Sequence, residues 1–410
     1  MILKSRKTSA FYYGYIVVIA AFIIAAAVEG LLFSFGVFLN PLLNEFGWTR
    51  AVISGSMSLG GVIRVPVTML SGRLTDKLGS KVTLTACGFF LGVGYLLMSQ
   101  INSLWQLYLF YGGIITLGMS FYWVPLISIV PRWFAKKRGL MMGIVACGIG
   151  VGQLLYPPIA DWLVYSYSWR TSYLITGGVS MAVIILCAQF IRKAPEQSLP
   201  KMTPKKDVNS QNAHDVPSTV SDFSILRLLR NRQFWKLCAV FLPWMYCLST
   251  VIVHIVIHAI GVGMSSAGAA TIISIIGIAG IIARLVFGRL ADTIGIKPVL
   301  VFSFTLFSCA FFLLLFAAGT AMLYLFAVMF GIAYAIFELL HSATIAEVFG
   351  LNSLGSIAGV IFAISWFGFL LGPLVTGHIF DITGSYQLAF IICAGMSFCS
   401  LIAILRLRLT

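Results

Sequence analysis

The decapeptides Gly72-Arg-Leu-Thr-Asp76-Lys-Leu-Gly79-Ser-Lys81 and Gly288-Arg-Leu-Ala-Asp292-Thr-Ile-Gly295-Ile-Lys297 each sit between two long apolar runs, so each is a short charged turn joining two hydrophobic helices. They lie 216 positions apart, from 72 to 288. The same offset carries Gly139, Gly143, Gly152, Leu154, Leu155 and Pro157 onto Gly355, Gly359, Gly368, Leu370, Leu371 and Pro373 without a gap. A repeat unit of that length is half a fold rather than a solenoid module. In each turn the glycines permit close approach and a positive φ, the aspartate can accept from helix-end N–H groups, and the basic residues stay on one side of a membrane. The second copy is the weaker one, with Thr293 where the first has Lys77.

The chain has 410 residues, of which 60% are hydrophobic and 10% charged. An average soluble domain is about 25% charged, so this is a membrane protein. Its apolar segments are too long and uniform for barrel strands, which alternate every second residue. The net charge of +15 could suggest nucleic acid, but its placement gives another cause. Arg50 and Arg170 fall in loops on one side, and Arg64 and Arg284 fall inside apolar segments. All other lysines and arginines lie on the opposite side: the N-terminus, the two turns, the Arg132 to Arg138 stretch, the region from Arg192 to Lys236, and the C-terminal end. By the positive-inside rule both termini and the central linker are expected in the cytoplasm of a multi-pass cell-membrane protein, with the lipid bilayer and no nucleic acid as partner. The first apolar run is of full helix length and lacks a small-residue cleavage site, so it is expected to stay as an uncleaved span. The eight cysteines are scattered singly, form no CxxC or Cys/His cluster, and read as buried apolar residues with no metal site.

The predicted architecture is an all-α membrane protein of twelve helices, near 13–39, 51–75, 82–101, 105–130, 139–162, 171–191, 234–260, 265–288, 298–317, 321–346, 353–376 and 386–405. Residues 1–192 form one six-helix bundle, 233–410 the other, and 193–232 a polar, proline-containing linker too hydrophilic to fold alone. An amphipathic surface helix is expected from Phe223 to Arg230. The fifth segment holds Gly139, Gly143, Gly148, Gly150 and Gly152, then Pro157-Pro158. Either the glycines serve tight packing alone, or the prolines break the helix where a gate bends.

Ionisable groups at membrane depth are costly and mark function. They are Glu29, Arg64, His254, His258, Arg284, Glu338 and His341. Arg284 lies eight residues before Asp292, about 12 Å along a helix, and is either a snorkelling arginine or a planar grip for a carboxylate. Arg64 stands one turn deeper and is read equally as a structural partner of Glu29 or a substrate contact. Tyr334, Glu338 and His341 share a helix face too polar for lipid. His254 and His258 approach a helix end, where solvation is the simpler account.

The turn pattern resembles the signature loop of the major facilitator superfamily, and Gly72, Asp76, Lys77, Gly79 and Lys81 match it, with Gly288, Asp292 and Gly295 in the second copy. Further stretches resemble the monocarboxylate transporter group and its bacterial lactate-transporting relatives. Ile282-Ala283-Arg284-Leu-Val-Phe-Gly288-Arg-Leu-Ala291 is similar to that group's eighth helix, whose arginine binds the substrate carboxylate. Pro131-Arg-Trp-Phe134 with Arg138 and Gly139, and Gly372-Pro373 with Gly377 and Asp381, also match. There are departures. In animal members an aspartate that takes part in proton coupling stands one turn before the arginine, whereas this chain has Gly280, and a first-helix lysine aligns with Phe33. Glu29 and Glu338 are the candidate replacements. The helix 11 lysine of the oxalate:formate antiporters has no counterpart around Phe362, Ser365, Trp366 and Phe369.

The expected function is therefore secondary active transport of small monocarboxylates of the lactate or pyruvate type by proton symport with alternating access, as a monomer without cofactor. The resemblance implies a pocket of Arg284, Tyr334, Tyr122, Ser120 and Phe362, with Glu338 and Glu29 for proton coupling. An organic-anion exchanger is the alternative within the class, and a non-transporting carboxylate sensor the alternative outside it. The chain carries no HExxH or GxSxG motif, and an enzyme is not expected.

Overall fold

The computed structural model describes residues 5–134, 138–192, 228–317, 319–350 and 354–407. Lys4, Lys136, Lys137, Arg408, most of the polar linker and most of the helix expected at Phe223–Arg230 lie outside these residues. Among the described residues there is no strand. Twelve helices of the described residues are long and apolar enough to cross a membrane: spans 1 (Tyr13–Phe46), 2 (Arg50–Leu78), 3 (Ser80–Met98), 4 (Leu104–Trp133), 5 (Gly139–Ser166), 6 (Trp169–Gln189), 7 (Arg232–Gly261), 8 (Ser266–Ile294), 9 (Ile296–Leu315), 10 (Thr320–Phe349), 11 (Ile357–Thr383) and 12 (Gln387–Leu405).

The 216-residue offset is a physical repeat. Span 2 shifted by 216 is span 8 to the residue at both ends. Gly79 ends the first with φ 87° and ψ 158°, and Gly295 ends the second with φ 88° and ψ 161°. That left-handed φ is open to glycine at little cost, which explains why both turns keep the residue. Each glycine N–H closes its helix, on the Thr75 carbonyl at 3.0 Å and the Ala291 carbonyl at 3.1 Å. Asp76 and Asp292 are exposed and accept no hydrogen bond from the described residues, so the expected aspartate cap is not made. Backbone N–H groups of the chain itself close the turns instead.

The interior glycines also repeat their contacts. A Cβ on Gly152 would lie 2.1 Å from the Ala26 carbonyl oxygen, and one on Gly368 would lie 2.1 Å from that of Leu242, which is Ala26 shifted by 216. Spans 1 and 5, and spans 7 and 11, thus touch backbone to backbone where only hydrogen fits. Gly152→Ala should lower the melting temperature of purified protein, because the neighbour is main chain and overpacking costs about 1–3 kcal/mol. A wild-type melting curve would show that span 1 can yield.

Three helices depart from expectation. Span 5 runs unbroken through Pro157 and Pro158, so the prolines do not open it, and its Gly148, Gly150 and Gly152 serve close packing. Span 4 is interrupted: a π-helical stretch at Tyr108–Ile115 is followed by a break at Phe121 and Tyr122. Pro125 has no N–H to offer the Phe121 carbonyl, four residues back, so the helix must restart there. Span 1 is interrupted at Ser34, where the Leu31 carbonyl accepts from the Tyr95 hydroxyl at 2.9 Å. The cysteine expectation also needs correction, since Cys309 and Cys399 are exposed on helix surfaces.

Spans 2 and 11, and spans 5 and 8, join the two halves. Gly150 and Gly277 meet across this joint, and Gly377 abuts Ala51. Nearer the charged turns a Cβ on Gly139, Gly143 or Gly359 would meet nothing within 4 Å among the described residues. The far side is latched. Asp381 accepts from the backbone N–H groups of Arg50 (3.0 Å) and Ala51 (2.9 Å), capping span 2 from the other half. Asp161 accepts from Ser266, which is Arg50 shifted by 216. Beside this latch His254 is fully buried, not solvated. The Pro373 carbonyl, 3.0 Å from Nε2, can only accept, so in the neutral ring Nδ1 accepts from Tyr386, whose oxygen accepts from Arg50 Nη1 at 2.6 Å. The solvation account fails because span 7 lies inside the bundle along almost its whole length.

Candidate functional site

Glu29, Arg64, Arg284 and Glu338 lie within electrostatic reach of one another where the two halves face each other. From span 8, Arg284 Nη2 donates to the Glu338 carboxylate of span 10. Only 2% of the Arg284 side chain is accessible, against 24% for Glu338. The guanidinium is sealed while the carboxylate can be reached by a proton or a competing anion. Arg284 Nη1 has no hydrogen-bond partner among the described residues. A buried guanidinium with one edge engaged and one N–H group unsatisfied is costly unless a second acceptor arrives. The vacancy at residue 280 belongs to this geometry. A Cβ on Gly280 would lie 3.0 Å from Arg284 Nη1 and 3.3 Å from the Ala335 Cβ, so glycine leaves room for the guanidinium.

Aromatic rings frame the pair. The Arg284 Cζ lies 5.7 Å from the Tyr334 ring centroid, within cation–π range. Tyr334 is buried and stacks on Trp244 of span 7, with centroids 6.0 Å apart and planes at 12°. Phe33 packs against Tyr334 at 6.2 Å from the first half. His341, one turn beyond Glu338, has its Nδ1 against the Glu338 backbone carbonyl and its ring against Phe362 at 5.3 Å. Phe362 therefore contacts His341 and Phe241, not the guanidinium.

In the first half the Tyr122 hydroxyl donates to the Glu29 carboxylate. The helix break at Phe121 and Tyr122 frees this phenol to turn toward span 1. Glu29 lies within electrostatic reach of Arg64, Glu338 and Arg284. An Arg64–Glu29 ion pair, one of the two readings of Arg64, is nevertheless not formed among the described residues. Arg64 instead stands over the Trp366 ring of span 11, 5.1 Å from its centroid, because its helix faces the other half. Ser120 is buried and its hydroxyl donates to the Thr116 carbonyl at 2.8 Å, so it is satisfied within its own helix.

Two further residues escaped the sequence reading. Trp244 was hidden in an apolar run, and only its stacking on Tyr334 reveals it. Gln153 is fully buried on span 5, and neither its amide oxygen nor its nitrogen has a partner among the described residues. It is the sole amide side chain of that span, a signal that a search for ionisable groups alone passes over.

The family model described as Major Facilitator Superfamily matches residues 17–296 and 258–410. The chain is 26% identical over 386 residues to monocarboxylate transporter 13 of Rattus norvegicus, covering 93% of this chain and 85% of that one. It is 25% identical over 404 residues to monocarboxylate transporter 12 of Homo sapiens, covering 93% and 78%. Among solved structures it is similar to the nucleoside transporter NupG, with a TM-score of 0.69 at 16% identity, covering 96% of this chain and 98% of that one. It is also similar to a bacterial homolog of the human lysosomal transporter Spinster in an inward-facing, unoccupied conformation, with a TM-score of 0.65 at 16% identity over 96% and 95%.

Proposed function

Because this chain belongs to the Major Facilitator Superfamily, we propose that it is a secondary transporter that moves small monocarboxylates of the lactate or pyruvate type together with a proton. The observation that carries the reading is the buried Arg284–Glu338 pair with Arg284 Nη1 left unsatisfied. A guanidinium grips a carboxylate through two parallel N–H donors, and here one edge is already held by a removable internal carboxylate. The names of the relatives, monocarboxylate transporters 12 and 13, support the same substrate class.

In this mechanism a proton reaches Glu338 from the open side and neutralises it. Arg284 then loses its internal partner and accepts the substrate carboxylate, so proton and anion travel as a neutral pair. Neutrality matters because an inside-negative potential opposes entry of one negative charge by about 2.3 kcal/mol per 100 mV. Glu29, held by Tyr122 in the other half, is the second carboxyl able to take the proton. Charge placement puts the signature turns, both termini and the 193–232 linker in the cytoplasm, with residues 1–192 and 233–410 as the two rocking bundles. In this orientation the latch of Asp381, Arg50, Asp161 and Ser266 lies at the outer side and closes it.

Proteoliposomes given labelled lactate and an imposed pH step of one unit should accumulate it about tenfold, the gradient ratio that one coupled proton supplies. Lactate that neither accumulates nor exchanges removes this substrate class. Carboxylate exchange indifferent to pH would replace symport by anion exchange.

A further inference from the structure

At the latched end of the second half, remote from Arg284 along the spans, a cavity of about 330 Å³ opens between the ends of spans 7, 9, 11 and 12. Ligand pockets range over about 300–1,000 Å³ and combine apolar walls with a few convergent polar groups. This cavity has both. Ile257, Val262, Leu315 and Phe390 give the walls, and Arg50 enters from span 2 of the other half.

The charge balance there is uneven. Among the described residues no carboxylate oxygen lies within 4.0 Å of the Arg50 guanidinium. Its Cζ rests 3.7 Å from the Phe380 ring centroid, and only Nη1 is engaged, on Tyr386. The neighbouring Asp381 turns both oxygens to the N–H groups of Arg50 and Ala51, and it does not line the cavity. His258 contributes a wall, its ring edge-on to Phe390 at 4.8 Å and its Nε2 buried out of reach of the cavity. A guanidinium with no carboxylate partner and only Nη1 engaged, set beside aromatic walls, is the complement of a carboxylate on an apolar body.

We propose that this cavity binds an aromatic or branched monocarboxylate at the outer face, as a second site separate from Arg284. The cation comes from one half and the walls from the other, so the site is complete only while the halves are latched on this side. A ligand that favours one conformer shifts the population toward it. Occupancy therefore holds the latched state and slows the transport cycle without competing at Arg284.

Benzoate is a suitable probe, titrated calorimetrically into nanodisc-embedded protein carrying Arg284→Gln and Glu338→Gln, which removes the central pair without leaving a lone buried charge. One saturable binding event is expected. Adding Val262→Trp, which fills the cavity from a wall and touches none of the latch contacts, should weaken it about tenfold or more, as should Arg50→Gln. Absence of saturable binding in the double variant overturns the proposal. So does unchanged affinity with Val262→Trp in a monodisperse, folded sample, whatever Arg50→Gln does. Because the Arg284 charge is absent throughout, the outcome is independent of whether substrate binds at the central pair.

Discussion

Arg284→Lys should cut uptake of labelled lactate at low substrate concentration by about 10- to 100-fold, with normal expression and an unchanged elution profile. Lysine keeps the charge but offers a single point donor. The carboxylate then loses one of two parallel charge-assisted hydrogen bonds, each worth about 1.5–3 kcal/mol. The geometry sharpens the expectation. Nη2 is occupied by Glu338 and Nη1 is free, so one planar group holds the internal carboxylate on one edge and offers the other to a second acceptor. An ammonium cannot divide itself in that way. Near-normal uptake by the lysine variant would make Arg284 a structural cation. Arg64→Lys should be much milder, because Arg64 contributes a cation over the Trp366 ring, which lysine can also supply.

Glu338→Gln should separate binding from energy coupling. Glutamine is close in shape to the protonated acid and leaves Arg284 permanently unpaired, so lactate counterflow between equal pH compartments should persist. Accumulation driven by an imposed step of one pH unit should fall from about tenfold to about one, because the carboxyl assigned to carry the proton with the substrate is gone. The same measurement decides against Glu338 if the glutamine variant still concentrates lactate under a pH gradient alone. Glu29→Gln then becomes the informative variant, since Glu29 is the buried carboxyl within electrostatic reach of Arg284 and sits on the opposite half.

The fold was legible to an unusual degree because its repeat is written in residues that cannot vary freely. Gly79 and Gly295 hold a left-handed turn, and Gly152 and Gly368 hold backbone contacts, so the offset between them survives in the chain as letters. The site was legible in part. The i, i+4, i+7 spacing of Tyr334, Glu338 and His341 identifies one face of span 10, and Arg284 gives a depth on span 8. Neither tells which way the two helices turn, so their pairing emerges only in three dimensions. Tyr122 reaches Glu29 through a helix break that depends on Pro125, a local event that apolar periodicity does not register. His254 was misjudged for a related reason. Every span of this chain is largely apolar, so apolarity alone does not separate a helix buried inside the bundle, as span 7 is, from one facing lipid.

The matched ends of spans 2 and 8 bear on what lengths this molecule can tolerate. One residue added inside a helix rotates everything beyond it by about 100°. An insertion between Ala26 and Ser34 would swing one side of the Gly152 contact out of register, and an insertion in span 5 would swing the other. The glycine contacts thus act as a gauge that fixes the count of residues in each span, and changes of length are confined to the segments between spans.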